Sequence, residues 1–371
     1  MTQNQCQNIL MIYIEPTPYI LGLIETLKQY WEGKIDVLFL SENNSQNWNI
    51  QCKNKYKVLS KNSIKKMYQL VSQLSQKKYD CVHVAGWGSI SLILLIAISK
   101  FKKLFVTIES DTPIPHYTKP WKQIIKRLFY PIIFRLVDLF LPGGKRQAKY
   151  IENFGVNSEY IYPVNMTVDV TSIKQYAATL SYDDRLMLRQ RYKISEHDVV
   201  FLYVGRLETY KGIKDLITSF SHINNESARL LIVGDGTLRS EVEHAAKMNK
   251  KIHYVGSLSG SKLMNIYFVS DILTLPSHRD AWGLVINEAM AMELPVIVTD
   301  RVGCIEDLVI HHETGLIVPA EEVNELKCAM EYMITASQKR IMMGKNAAQR
   351  ISDWTLENEA QKMCHAWNQL R

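Results

Sequence analysis

Residues 276–299 read Pro-Ser-His-Arg-Asp-Ala-Trp-Gly-Leu-Val-Ile-Asn-Glu-Ala-Met-Ala-Met-Glu-Leu-Pro-Val-Ile-Val-Thr. A glycine-bearing loop opens a short helix, and a β-branched run with the pattern of a buried strand follows. That order presents backbone N–H groups, the positive end of a helix and two carboxylates, Asp280 and Glu288, to one ligand.

The same alternation extends in both directions. Short apolar runs at 9–14, 35–40, 81–84, 104–108 and 139–141 are separated by segments of helical period, and the plan repeats at 199–204, 228–233, 252–255, 272–275 and 295–298. Strands buried on both faces and joined by helical crossovers make a parallel sheet, so the expectation is α/β with two doubly wound domains. A chain of 371 residues is also too long for one ordinary core. The break is expected near residues 165–190, giving an N-terminal domain over 1–170 and a C-terminal domain over 171–353. Residues 354–371 read as a final helix that packs back on the first domain, with Trp354, Leu356, Met363 and Trp367 available for burial.

Composition narrows the function classes. The net charge of +7 is uneven, because residues 1–170 hold 21 Lys and Arg against 12 Asp and Glu, while the remainder is close to neutral. A basic first half suits an anionic partner such as a membrane surface or a phosphorylated lipid. The polar start, Met-Thr-Gln-Asn-Gln-Cys-Gln-Asn, lacks a secretory pattern, and the six cysteines form no Cys-x-x-Cys, so a cytoplasmic location is expected. The longest apolar run, 90–98, is far short of the roughly 20 residues that span a bilayer and reads as a buried helix. No Asp-x-Asp stands in a metal-binding context, and no nucleic-acid reader motif is present, so neither a metal nor a nucleic acid is expected.

The chemistry-bearing residues fall at strand ends. Strand 199–204 runs into Gly205-Arg206-Leu-Glu-Thr-Tyr-Lys211-Gly212, which puts two cations where open α/β sheets bind ligands. Arg206 and Lys211 can neutralise a diphosphate, the first as a bidentate fork and the second as a point charge. Gly234-Asp-Gly236 resembles the start of a dinucleotide fingerprint, but Arg239 stands where its third glycine belongs, which argues against a nicotinamide enzyme. The backbone of Gly283, Leu284 and Val285 can hold phosphate oxygens, and the carboxylates of Asp280 and Glu288 can accept hydrogen bonds from ribose and sugar hydroxyls. His83 reads as a satisfied core or rim histidine, His278 has no partner visible in sequence, and His311 and His312 read as solvated. Residues 119–135 place Trp121, Ile124, Ile125 and Leu128 near one helical face beside Lys122, Lys126 and Arg127, with Pro131 interrupting the pattern. Both an interfacial helix and a core helix with charged edges look like this.

Taken as a set, Gly205-Arg206-x4-Lys211-Gly212, Gly234-Asp-Gly236, Pro276-Ser277, Trp282-Gly-Leu-Val-Ile-Asn-Glu-Ala289, Pro295-Val-Ile-Val298, Asp300-Arg-Val-Gly303 and Thr314-Gly-Leu-Ile-Val-Pro319 resemble the retaining glycosyltransferases of family 4. The resemblance is strong from about 160 to 354 and weak before it. It implies the GT-B fold, two Rossmann-like domains facing across a cleft, and a metal-independent hexosyltransferase that needs no cofactor beyond its nucleotide-diphosphate sugar donor, most often a UDP-sugar. It further implies that Arg206 and Lys211 bind the diphosphate and Glu288 the ribose, that residue 280 holds the transferred sugar, and that Gly205, Gly234, Gly283, Leu284 and Val285 line the donor. Acceptors in the family are often glycans or lipid-linked chains in polysaccharide, lipopolysaccharide or glycolipid assembly, which suits peripheral contact of 119–135 with the cytoplasmic face of a membrane. Four departures stand out. Asp280 replaces the usual Glu, Glu293 replaces the glycine that often follows the helix, Glu15-Pro-Thr-Pro-Tyr-Ile-Leu-Gly22 stands where a Gly-Gly loop is common after the first strand, and Val106-Thr-Ile-Glu109-Ser110-Asp111-Thr112 lacks the family's frequent histidine. Glu109, Ser110 or Asp111 is a candidate to orient the acceptor or sugar there, against ordinary loop capping. A GT-B hydrolase or epimerase and a non-catalytic nucleotide-sugar-binding subunit are the alternatives.

Overall fold

The computed structural model describes residues 6–42, 56–60, 62–76, 78–113 and 119–370; Cys52 and the polar residues 1–5 lie outside them. The chain forms two compact units, Met1–Thr167 with Leu356–Arg371, and Val168–Thr355.

The first unit holds strands β1 (Asn8–Tyr13), β2 (Lys34–Phe39), β3 (Lys57–Val58), β4 (Cys81–Ala85), β5 (Phe105–Ser110) and β6 (Leu139–Pro142). They are parallel and ordered β3-β2-β1-β4-β5-β6. Between them run α1 (Pro18–Tyr30), α2 (Ser63–Gln76), α3 (Ile90–Phe101) and α4 (Pro120–Phe134), with α5 (Lys145–Glu152) after β6. Each strand serves two cores, because successive side chains leave a strand on opposite faces. Ile9, Met11 and Tyr13 of β1 join one core cluster, whereas Leu10 and Ile12 join the other. This is why the strands read as unbroken apolar runs. Thr17 caps α1 by accepting from the Ile20 amide, and Pro18 occupies a position where its missing N–H costs nothing.

Helix 90–101 corrects one expectation. Leu92, Leu95 and Ile96 are buried, but Ile90, Leu94 and Phe101 are exposed, since a helix laid on a sheet buries only the face toward it. Pro131 also fails to end α4, which continues to Phe134 and buries Ile133 and Phe134 beyond the proline.

The second unit opens with α6 (Val170–Ala178) and α7 (Tyr182–Arg191). Its sheet contains β7 (Val199–Val204), β8 (Ala228–Val233), β9 (Ile252–Gly256), β10 (Ile272–Leu275), β11 (Val296–Thr299) and β12 (Gly315–Val318), all parallel in the order β12-β11-β10-β7-β8-β9. The connecting helices are α8 (Ile213–Ser221), α9 (Arg239–Met248), α10 (Gly260–Val269), α11 (Leu284–Ala291) and α12 (Ile305–Leu308), followed by α13 (Val323–Thr335) and α14 (Ser337–Arg350). Both sheets therefore share one strand order, in which the chain reverses its direction of travel between the first and fourth strands. The two strands that sequence periodicity omits, β3 and β12, are short edge strands, where one paired neighbour suffices and a long apolar run is not required.

The last helix, α15 (Leu356–Asn368), belongs to the first unit and packs on α1. Leu356, Met363 and Trp367 are buried, and Trp367 meets Trp31 edge-on at 5.6 Å. At about 1.5–3 kcal/mol per buried large side chain, these residues can offset much of the entropy of ordering the segment. Trp354 stays in the second unit, its ring 5.7 Å from that of Trp282. Among the described residues no helix is long and apolar enough to cross a membrane.

Candidate functional site

In open parallel sheets the loops at the carboxyl ends of the strands, around the point where the strand order reverses, form the ligand crevice. In the second unit that point lies between β7 and β10, and the loops after both strands carry the residues expected from sequence. Two glycines let them meet. Gly212 has φ +69°, and a Cβ there would fall 1.9 Å from the carbonyl oxygen of Pro276, so the β7 loop can approach the β10 loop only backbone to backbone. Gly283 has φ +96° at the start of α11, and its Cβ would meet Val302 Cγ1 at 2.9 Å.

Around that junction the side chains converge. Lys211 donates to Asp280 Oδ2 at 2.6 Å with both side chains mostly buried, and Ser277 Oγ lies 3.3 Å from the same oxygen. Arg206 is exposed, its guanidinium 5.5 Å from the centre of the Tyr210 ring, and Lys211 Nζ lies 5.8 Å from that centre. Tyr210 is thus a common floor for both cations. Tyr203 in β7 donates to the carbonyl of Arg206 at 2.8 Å and so fixes the backbone from which the arginine projects. His278 has a partner after all, Asp215 Oδ2 at 2.6 Å, which ties the β10 loop to the first turn of α8.

Glu288 lies one turn inside α11 and is half-buried. Burial raises its carboxyl to about 7, although the Tyr267 hydroxyl, donating to Oε2 at 2.6 Å, stabilises the charged form. A solvated helix position would show neither feature. Ile286 N bonds to the carbonyl of Gly283, leaving the first amides of α11 at the crevice end of the helix. Leu284 and Val285 are half-buried there, and Trp282 and Asn287 close the inner side through a 3.1 Å indole-to-amide hydrogen bond. Glu293, at the place of the usual glycine, has φ +61°. A left-handed glutamate costs roughly 1 kcal/mol or more, so the chain keeps the glycine's turn without the glycine.

Gly234 and Gly205 stand at the ends of β8 and β7, where Gly234 N–H bonds to the carbonyl of Gly256 and Gly205 N–H to that of Val233. The Gly234-Asp-Gly236 segment is a tight strand-to-helix turn, with Asp235 exposed and accepting from the Gly236 amide.

The first unit builds a different site at the equivalent edge. Glu109, at the end of β5, accepts from the Tyr13 hydroxyl of β1 at 3.0 Å and faces His83 Nε2 of β4 at 3.3 Å. His83 Nδ1 lies 2.9 Å from Thr107 Oγ1, which also accepts from the Trp367 indole at 3.2 Å. One proton arrangement satisfies all of these: Trp367 donates to Thr107, Thr107 to Nδ1, and Nε2–H to Glu109. Below them Glu359 is buried, and burial followed by the nearby Glu109 charge pushes its carboxyl well up. His83 is therefore a satisfied buried histidine that orients Glu109. Ser110 Oγ accepts from the Thr112 amide, an ordinary loop cap, and Asp111 is exposed beyond the strand end. Tyr13 and Tyr267 act on partners 96 and 21 residues away and carry no local sequence signal, whereas Tyr203 and Tyr210 lie within a few residues of Arg206 and Lys211. Among the described residues no group of three or more His, Cys, Asp or Glu side chains is placed to hold a metal ion.

Comparison with known proteins bears on the second unit most directly. Residues 184–350 match the family model of glycosyl transferases group 1. An uncharacterised glycosyltransferase of Methanocaldococcus jannaschii is 29% identical over 148 residues, covering 39% of this chain and 38% of the relative. The capsular polysaccharide biosynthesis glycosyltransferase CapM of Staphylococcus aureus is 29% identical over 177 residues, 46% of each chain. The chain thus spans less than half the length of these curated relatives. Anabaena HepE, solved in complex with UDP, superposes with a TM-score of 0.80 over 97% of this chain and 99% of its own, at 16% identity. That likeness is one of fold. Residues 184–350 of the second unit are thus similar to group 1 glycosyltransferases, and the two parallel sheets with their flanking helices have the GT-B fold.

Proposed function

We propose that the protein transfers a sugar from a nucleotide-diphosphate donor to an acceptor hydroxyl with retention of anomeric configuration. The carrying observation is the convergence of Arg206, Lys211 and the start of α11 at one sheet edge, with Glu288 set one turn behind. Breaking the bond between the anomeric carbon and the diphosphate oxygen builds negative charge on the leaving group. Lys211 and the amides of Gly283, Leu284 and Val285 stabilise that charge in a half-buried, pre-arranged setting, where it is worth far more than in water, and Arg206 adds its charge from the exposed side. Glu288 takes the ribose hydroxyls. Asp280 faces the transferred sugar and, through its 2.6 Å contact, also holds Lys211 in place. The acceptor oxygen bonds to the anomeric carbon on the face the leaving group vacates, and its proton passes to the departing phosphate oxygen. Glu109, oriented by Tyr13 and His83, positions a sugar hydroxyl.

A UDP-sugar is the donor favoured by the fold relative solved with UDP and with UDP-glucose. The basic first half favours a glycan or lipid-linked acceptor of polysaccharide, lipopolysaccharide or glycolipid assembly, met from the cytoplasm. A thermal-shift panel of nucleotide sugars tests the reading, since a bound donor raises the melting temperature by mass action. One donor should stabilise the wild type and not Arg206→Ala. If none does, or if the arginine variant responds equally, the site assignment fails. Stoichiometric release of free or epimerised sugar without acceptor would favour hydrolysis or epimerisation instead.

A further inference from the structure

Helix α4 is apolar on two opposite faces, and the fold uses only one of them. Tyr130, Ile133 and Phe134 face inward, where the rings of Tyr130 and Phe134 lie 5.9 and 4.9 Å from that of Trp87. On the other side stand Trp121, Ile124, Ile125, Leu128, Phe129 and Ile132, each between 46% and 63% exposed. At about 100° per residue these six fill an unbroken arc of roughly 140° centred opposite the buried face. Scattered exposed leucines need no explanation, but a contiguous stripe of six large side chains marks a surface that something covers.

Charge identifies the occupant. Residues 119–135 carry five basic residues and no acidic one. Lys126 turns toward the first unit's core, its ammonium 3.2 Å from the Tyr150 hydroxyl. Lys122 and Arg127, both exposed, border the stripe on its two sides, while Lys119 and Arg135 stand at its ends. α3, which packs on the same core cluster, adds exposed Ile90, Leu94 and Phe101, with Lys102 and Lys103 exposed just beyond. Apolar side chains that can enter the acyl boundary, edged by cations at headgroup height, make an interfacial helix. We infer that the outward face of α4 docks the protein on an anionic lipid surface.

The inference goes beyond the proposed transfer, and its test contains neither donor nor acceptor. The full chain is floated with vesicles of phosphatidylcholine alone or mixed with phosphatidylglycerol. Partition should be at least about tenfold stronger on the mixed vesicles and should weaken severalfold at high salt, where surface charges are screened. Ile124→Ser combined with Leu128→Ser should lose at least about tenfold of that partition, and Lys122→Glu with Arg127→Glu should lose the preference for anionic vesicles. Both variants should melt within about two degrees of the wild type, because exposed positions contribute little to stability. Failure to float, flotation unchanged in the serine variant, or conversion of a dimer to a monomer by that variant without vesicle binding would each overturn it.

Discussion

The two sheets have the same strand order, yet their carboxyl edges carry opposite chemistry. In the second unit the edge presents Arg206, Lys211 and a helix start, assembled by glycine turns that bring backbone against backbone. In the first it holds Glu109, joined by side-chain hydrogen bonds to Tyr13 and the buried His83, with a second buried carboxyl, Glu359, nearby. Strand order decides where a ligand can sit, and the residues at strand ends decide which ligand. A contact such as Gly212 against the Pro276 carbonyl tolerates almost no side chain, whereas a glutamate can be oriented by many partners.

The sharpest way to break the contrast is to remove the donor-side charges. Lys211→Ala and Glu288→Ala should each lower transfer about a hundredfold or more, measured as product formed from the donor found by thermal shift. Near wild-type rates in either variant would remove the second unit's edge from the chemistry. On the other edge, Glu109→Gln should slow transfer about tenfold while donor affinity changes less than about twofold, because it acts on positioning alone. Equal loss of donor affinity would mean that the two edges do not divide the labour. A smaller effect concerns pH. The Glu288 carboxyl rises from 4.5 to about 7 on folding, so its contribution to stability is complete below about pH 4.5 and is lost as pH climbs through 7. Glu288→Gln cannot ionise, and its urea stability relative to wild type should improve by about 1–2 kcal/mol between mildly acidic and mildly alkaline pH. A difference independent of pH would show that another group titrates.

Much of this was legible in the chain. The apolar runs located ten of the twelve strands, because a strand buried on both faces needs no polar alternation. Arg206, Lys211, Asp280 and Glu288 are legible as candidates because each sits at a fixed offset from a glycine turn or a helix start. The contacts that leave no trace in the chain are the distant ones. Tyr267 lies 21 residues before Glu288, and Asp215 lies 63 residues before His278, so neither pair leaves a local signature. The exposure of Ile90 has a related cause: an apolar run does not say which of its side chains a sheet will cover.

The sequence by itself determined the two parallel sheets, the glycine-bearing loops that carry Arg206, Lys211 and Asp280, and the basic character of the first half, since periodicity, glycine positions and charge are properties of neighbouring residues. Tertiary structure alone decided that Asp280 neutralises Lys211, that Tyr267 holds a half-buried Glu288, that His83 aims Glu109, and that α4 keeps a second apolar face outside the core. Those facts depend on which side chains the crossovers bring within about 3 Å of each other, or leave facing water. Only the folded chain sets such distances.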